Sequence, residues 1–201
     1  IALAAAAMLA GCDKAGNATA PAVAPATAPA AASPSEPAQQ AALTTEVFNP
    51  GEQAIFAVSS VLVHGKSEVV LIDAQFSAEQ ARKLADKVKA TGKRLTTIYI
   101  SHGDPDFYFG LESLHAAFPD ARIVATAQTI AHIEATKDEK LKVWGPQLGA
   151  NAPKQIIVPQ PLQGDTLTVD GQELKLIGLD GPTPDRTVVW IPSIKTVAGG
   201  I

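Results

Sequence analysis

One imidazole and two carboxylates stand at alternate positions in Ser101-His102-Gly103-Asp104-Pro105-Asp106-Phe107, directly after the apolar run over residues 96–100. Side chains at i, i+2 and i+4 on a tight loop beyond a strand's carboxyl end can converge on one cation. Those ends are also where open α/β sheets bind ligands. A single imidazole with two carboxylates suits one hard or borderline divalent ion, as in zinc sites or the iron(II) facial triad. His102, Asp104 and Asp106 are therefore the candidate metal ligands. A plainer reading competes. Asp104-Pro105 is a good helix start, with Asp104 as N-cap and Pro105 in the first turn, and Asp106 then favours the positive end of the helix dipole.

The flanking sequence supplies the elements that must position this loop. Residues 54–64 and 68–73 are two β-branched runs around His64-Gly65-Lys66-Ser67, which reads as a hairpin with His64 a solvated turn residue. Ser77-Ala78-Glu79-Gln80 is a capping box, and Ala81, Leu84, Ala85 and Val88 form the helical stripe behind it, stopped at Gly92. Phe107, Leu111, Leu114 and Phe118 predict one helical face after the loop. A strand over 121–125 and a helix over 127–140 follow, the helix carrying Ile130 and Ile133 with His132 beside them. Lys137-Asp138-Glu139-Lys140 reads as its solvated end. Residues 141–153, with Trp144, Gly145, Pro146 and Pro153, predict an irregular loop. Short strands are expected at 155–158, 166–169, 173–177, 187–191 and 196–197. Alternating strands and helices followed by a strand-rich half give a layered α/β (α+β) sandwich. His115 and His132 have no partner at ligand spacing.

The loop resembles that of the metallo-β-lactamase superfamily, written His-x-His-x-Asp-His. His102 matches the first His, Asp104 replaces the second, Asp106 matches the Asp and Phe107 replaces the last His. Glu68-Val69-Val70-Leu71-Ile72-Asp73 is similar to the family's Leu-Ile-Asp segment, which implies that Asp73 supports the site from behind its ligands. Gly181-Pro182-Thr183-Pro184-Asp185 is similar to its Gly-His-Thr-Pro-Asp segment, with Pro182 where a His ligand is usual. Gly200 stands where a bridging carboxylate is frequent. The resemblance covers most of 45–201 and implies an αββα sandwich. With Phe107, Pro182 and Gly200 at three ligand positions, it implies one divalent ion, zinc first and iron or manganese next, in place of two. Asp180 or Asp185 is placed to approach the ion from the later loop.

A bound ion would lower the pKa of its water towards roughly 7 and polarise a carbonyl or phosphoryl oxygen. The resemblance gives Asp106 the role of ligand and water-positioning base, with His102 and Asp104 holding the ion. The expected activity is hydrolysis of an ester, amide or phosphoester-type substrate. β-Lactams are poorly supported, because true lactamases need the ligands this chain lacks. The alternative is a non-catalytic protein that binds a small ligand on the same fold.

The remainder of the 201 residues concerns location. Residues 1–11 are apolar, too short to span a membrane, and fit the remnant of a secretory signal. Leu9-Ala10-Gly11-Cys12 looks like a bacterial lipobox, so Cys12, the single cysteine, is the expected lipidation site; ordinary signal cleavage is the other reading. Asp13 resembles an inner-membrane retention signal. Residues 12–43, with Pro21, Pro25, Pro29, Pro34 and Pro37, have the composition of a disordered tether, leaving 44–201 as the domain. The sequence reads as starting within its own signal and stopping inside a strand, so a truncated C-terminus is expected. These features describe an exported lipoprotein facing the periplasm, with membrane lipid and a small molecule as partners. A net charge of −4 without a basic patch excludes nucleic acid.

Overall fold

The computed structural model describes residues 41–200. The signal remnant, Cys12 and nearly all of the tether lie outside them. Strands β1 (Thr44–Phe48), β2 (Ser60–His64), β3 (Glu68–Ile72), β4 (Arg94–Ile100), β5 (Arg122–Ala125) and β6 (Gln160–Pro161) form one sheet in that order. The pairs β1–β2 and β2–β3 are antiparallel, whereas β3, β4, β5 and β6 run parallel. Strands β7 (Thr166–Val169), β8 (Gln172–Ile177), β9 (Val188–Ile191) and β10 (Thr196–Ala198) form a second, antiparallel sheet ordered β10-β9-β8-β7. Four α-helices, α1 (Ala78–Ala90), α2 (Pro105–Tyr108), α3 (Leu111–Ala117) and α4 (Ala127–Leu148), and two single 3-10 turns, Gly149–Asn151 and Pro192–Ile194, complete the described elements.

The twofold alternation of strand side chains divides the core into two apolar layers. Leu62, Val69, Leu71, Ile98 and Ile100 face the helices, where they meet Leu84, Val88, Leu111, Leu114 and Ile133. Val61, Val63, Val70, Ile72 and Tyr99 face the other way and pack on Leu167, Val169, Leu174, Val189 and Ile191 of the second sheet. Each fully buried aliphatic side chain contributes roughly 1.5–3 kcal/mol. The central strands therefore cannot slip by one residue without exchanging the two cores. The result is helix layer on sheet on sheet, in the α/β class expected.

Strand β4 lies between its parallel neighbours β3 and β5, so the loop after Ile100 leaves the sheet at its carboxyl edge. Ser101 is the first residue out, and it is fully buried. Its N–H and hydroxyl both donate to Asp73, at 2.8 and 2.7 Å. Its hydroxyl accepts the Gly200 N–H at 2.8 Å, and its carbonyl accepts the Thr187 N–H at 2.9 Å. The ends of β3, β4 and β10 and the entry to β9 thus meet on one serine. Asp73 and Gln75 both adopt positive φ there, a strained backbone that the surrounding bonds must hold. The Ala74 N–H donates to the Phe107 carbonyl and the Gly110 N–H to the Gln75 carbonyl, at 2.7 and 2.9 Å.

Several expectations change. Residues 54–59 are not strand, and β2 begins only at Ser60. His64 is buried at the end of β2, 3.6 Å from Glu46, rather than solvated. The face Phe107, Leu111, Leu114 and Phe118 is split between α2 and α3 by Phe109-Gly110. Helix α4 runs through Trp144-Gly145-Pro146 to Leu148, because Trp144 packs edge-on to Phe56 and Phe76, with ring centroids 5.0 and 5.7 Å away. Pro146 falls in the last turn, where its missing N–H removes one bond near an end already due. Residues 155–158 are not strand; only Gln160 and Pro161 pair with β5.

A Cβ on Gly110 would lie 2.0 Å from the Ala74 carbonyl oxygen, a backbone atom fixed between strand and loop. Gly110→Ala is expected to cost about 2–3 kcal/mol by overpacking, read as a lowered urea midpoint; a loss within the scatter of surface substitutions would show that this approach is not rigid.

Candidate functional site

His102 follows the buried serine and is itself nearly inaccessible. Its ring stacks on Phe107, with centroids 4.6 Å apart and planes 16° from parallel. Its Nδ1 accepts the Asp104 N–H at 2.9 Å. Burial is the main influence on this imidazole and lowers its pKa; the Asp104 charge pulls the other way and Arg186 adds to the lowering. The ring is thus neutral at pH 7. A neutral imidazole has one donor and one acceptor nitrogen. A backbone N–H can only donate, so Nδ1 is the acceptor and Nε2 carries the proton.

Asp104 sits at the N-cap position of α2 but makes no side-chain cap bond. Its carboxylate turns away to the Lys140 ammonium of α4, 2.6 Å from Oδ1. Burial works to raise the Asp104 pKa; the Lys140 bond and charge, helped by His102 and His132, overcome it and hold the group below the ordinary carboxylate value. Lys140 Nζ also donates to the Gly103 carbonyl at 3.1 Å and lies 3.2 Å from His132 Nε2. The other nitrogen of His132 is 3.3 Å from Asp185 Oδ2. Thr129 donates to the Asp185 carbonyl at 3.1 Å, tying α4 to the loop before β9.

Asp106, in the first turn of α2, makes no ion pair among the described residues. Burial lifts its carboxyl to about 6 against a hydrogen bond from its own backbone N–H, with the Asp104 charge adding to the rise and Lys140 opposing it. Asp73 lies fully buried beneath the loop. Burial raises it to about 7 against the lowering effect of its two Ser101 bonds.

Of the expected ligands, then, His102 and Asp104 meet at 3.6 Å, while Asp106 stands apart. Among the described residues no three His, Cys, Asp or Glu side chains form a ligand cluster. The sequence reading missed His132 and Lys140. Their spacing of eight places them towards one side of a helix, a signal obscured by ending that helix at Lys140. Of the two later acids proposed, Asp185 approaches, through His132.

The sequence model of the metallo-beta-lactamase superfamily matches residues 55–200. The chain belongs to this superfamily. Among solved structures similar to it is the B3 metallo-beta-lactamase BLEG-1, at TM-score 0.58 and 11% identity over 77% of this chain and 70% of that one. A metallo-beta-lactamase from Pontibacter korlensis matches at TM-score 0.54 and 18% identity over 80% of this chain and 68% of that one. A double mutant of the sec-alkyl sulfatase PisA1 matches at TM-score 0.52 and 18% identity, over 69% of this chain but 27% of its own. At these identities the likeness is one of fold. A search of curated proteins finds no match.

Members of the superfamily are in general metal-dependent hydrolases. The residues in this structure do not fit such an ion. A metal-bound histidine presents a lone pair to the ion and donates its other N–H to an acceptor; His102 does the reverse, accepting at Nδ1 and protonated at Nε2. Asp104 is neutralised by an ammonium. The plainer N-cap reading is corrected too, because that carboxylate bonds Lys140 and not the helix's free N–H groups.

Asp73 generates a pH prediction. Its folded pKa of about 7 exceeds the ordinary value of 3.8, so the folded state keeps a proton that the unfolded state releases. Stability is highest below about pH 4 with respect to this group, falls as pH rises to about 7 and then levels, by roughly 4 kcal/mol in all. Asp73→Asn removes the slope while adding a constant offset from the weakened Ser101 bonds. Denaturation of both proteins from pH 4 to 8 measures this; parallel curves would contradict it.

Proposed function

We propose that this protein is a non-catalytic, small-ligand-binding member of the metallo-β-lactamase superfamily, held at the periplasmic face of a membrane by a lipid on Cys12. The observation carrying the binding reading is the Asp104 N–H directed at His102 Nδ1, which removes the lone pair that would hold an ion. Phe107 and Pro182, at positions where the family's ligands are expected, offer no donor atom, and Phe107 instead covers the His102 ring. What the loop retains are two polar groups: an imidazole N–H on His102 and, on Asp106, a carboxylate without an ion-pair partner among the described residues. Such a pair suits a small ligand carrying both an acceptor and a donor. The anchor is supported by Leu9-Ala10-Gly11-Cys12 and the Pro-rich tether behind it.

Metal-dependent hydrolysis is the second reading, with zinc, iron or manganese at His102, Asp104 and Asp106 and an ester, amide or phosphoester as substrate. One observation favours it. The Asp106 carboxyl, lifted to about 6 by burial, is in the range of a general base at neutral pH.

One experiment separates these readings. Full-length wild type and Cys12→Ala are fractionated, and the wild type is tested for turnover of a chromogenic β-lactam, p-nitrophenyl acetate and bis(p-nitrophenyl) phosphate, with and without added zinc. The expected result is wild type in the membrane fraction, Cys12→Ala released, and no turnover above background. Fragments screened by ligand-observed NMR should give binders that His102→Ala no longer holds. Zinc-dependent turnover abolished by Asp106→Asn would establish the hydrolase instead, and wild type in the soluble fraction would remove the anchor.

A further inference from the structure

The Lys140 ammonium has three N–H donors, and three acceptors surround it: Asp104 Oδ1 at 2.6 Å, the Gly103 carbonyl at 3.1 Å and His132 Nε2 at 3.2 Å. Since the ammonium only donates, His132 Nε2 is an acceptor, and the ring's own proton lies on Nδ1, which faces Asp185 Oδ2 at 3.3 Å. A carboxylate behind one imidazole nitrogen, with the lone pair of the other aimed at a cation, is the arrangement that orients metal-bound histidines. Gly103 is part of it. A Cβ there would fall 2.8 to 3.0 Å from three atoms of His132, so the bare backbone is what lets the imidazole close over the loop.

We propose that Lys140 is this protein's built-in cation: its ammonium occupies a coordination-like position between the loop after β4 and helix α4 and excludes divalent metal from Asp104 and His132. The proposal deepens the metal-free reading above, on which it rests, by naming the residue that maintains it. The charges account for the choice. The ammonium pairs with the one carboxylate it touches and gives each of its three protons an acceptor, and an ion binding there would have to displace the lysine into partly desolvated surroundings. Lys140 also carries a mechanical role, because it joins residues 36 positions apart in sequence and so fixes the loop against α4. It is a positioning residue, acting through Asp104 and His132.

The test is a zinc titration of the purified full-length protein, followed by calorimetry and by metal analysis after gel filtration. Wild type, Lys140→Ala, Lys140→Met and the double variant Lys140→Ala/Asp104→Asn are compared, with Lys137→Ala as the control on the same helix. Wild type and Lys137→Ala should retain no stoichiometric zinc. Both Lys140 variants should bind about one ion per chain, at least tenfold more tightly than wild type, and the double variant should lose it. Stoichiometric zinc on wild type, or zinc binding unchanged by either Lys140 substitution, overturns the proposal. Should neither Lys140 variant fold, nitrogen NMR of wild-type His132 decides: the proposal requires the Nδ1-protonated form and no change on adding zinc, and a zinc-induced shift refutes it. Turnover by zinc-free wild type would end the binding reading while leaving the role of Lys140 intact, so the two failures are distinguishable.

Discussion

The site depends on one buried carboxylate. Asp73 takes both donors of Ser101, and through that serine the ends of three strands and the entry to a fourth are locked together. The burden is considerable: Asp73 is wholly buried, adopts positive φ and has its ionised form disfavoured by desolvation. Two directed hydrogen bonds, including one from a backbone N–H, keep it in place where an unpaired buried carboxylate would not persist. Because Ser101 immediately precedes His102, the position of the imidazole follows from this anchor.

What stands on that anchor is a chain of paired polar groups. Along the chain of contacts His102, Asp104, Lys140, His132 and Asp185, every link joins a donor to an acceptor or opposite charges. In the superfamily the corresponding loop presents several ligands to metal. Here Phe107 has become a stacking partner and Asp104 an ion-pair partner, and both changes point towards a self-contained polar core. Of the loop's two carboxylates, Asp106 is the one without an ion-pair partner among the described residues, which leaves it available to whatever enters the site.

Much of this was legible in the sequence. Strands β3, β4 and β5 announce themselves as β-branched runs, and Ser77 caps α1 as its capping box implies, accepting the Gln80 N–H at 3.2 Å. The segments that resemble the superfamily fall at the carboxyl edge of the sheet, as the resemblance implied, and the superfamily match covers the same region. Helix α4 was hidden because Gly145-Pro146 reads as a stop, while the packing of Trp144 against Phe56 and Phe76 outweighs that local preference. Lys140 and His132 were hidden for a different reason. The loop partners of Lys140 lie 36 and 37 residues earlier and Asp185, the acid facing His132, lies on a later loop, and nothing in a local pattern distinguishes a lysine that reaches inward from one that is solvated.

The central claim is that the Lys140 ammonium, and not a divalent ion, occupies the space between Asp104 and His132. It is tested most directly by diffraction at the zinc absorption edge from crystals of the full chain grown with excess zinc. The account predicts no anomalous peak between Asp104 and His132, with Lys140 Nζ still bonded to the Asp104 carboxylate. A zinc ion ligated by His102, Asp104 and Asp106, with Lys140 displaced, would contradict it.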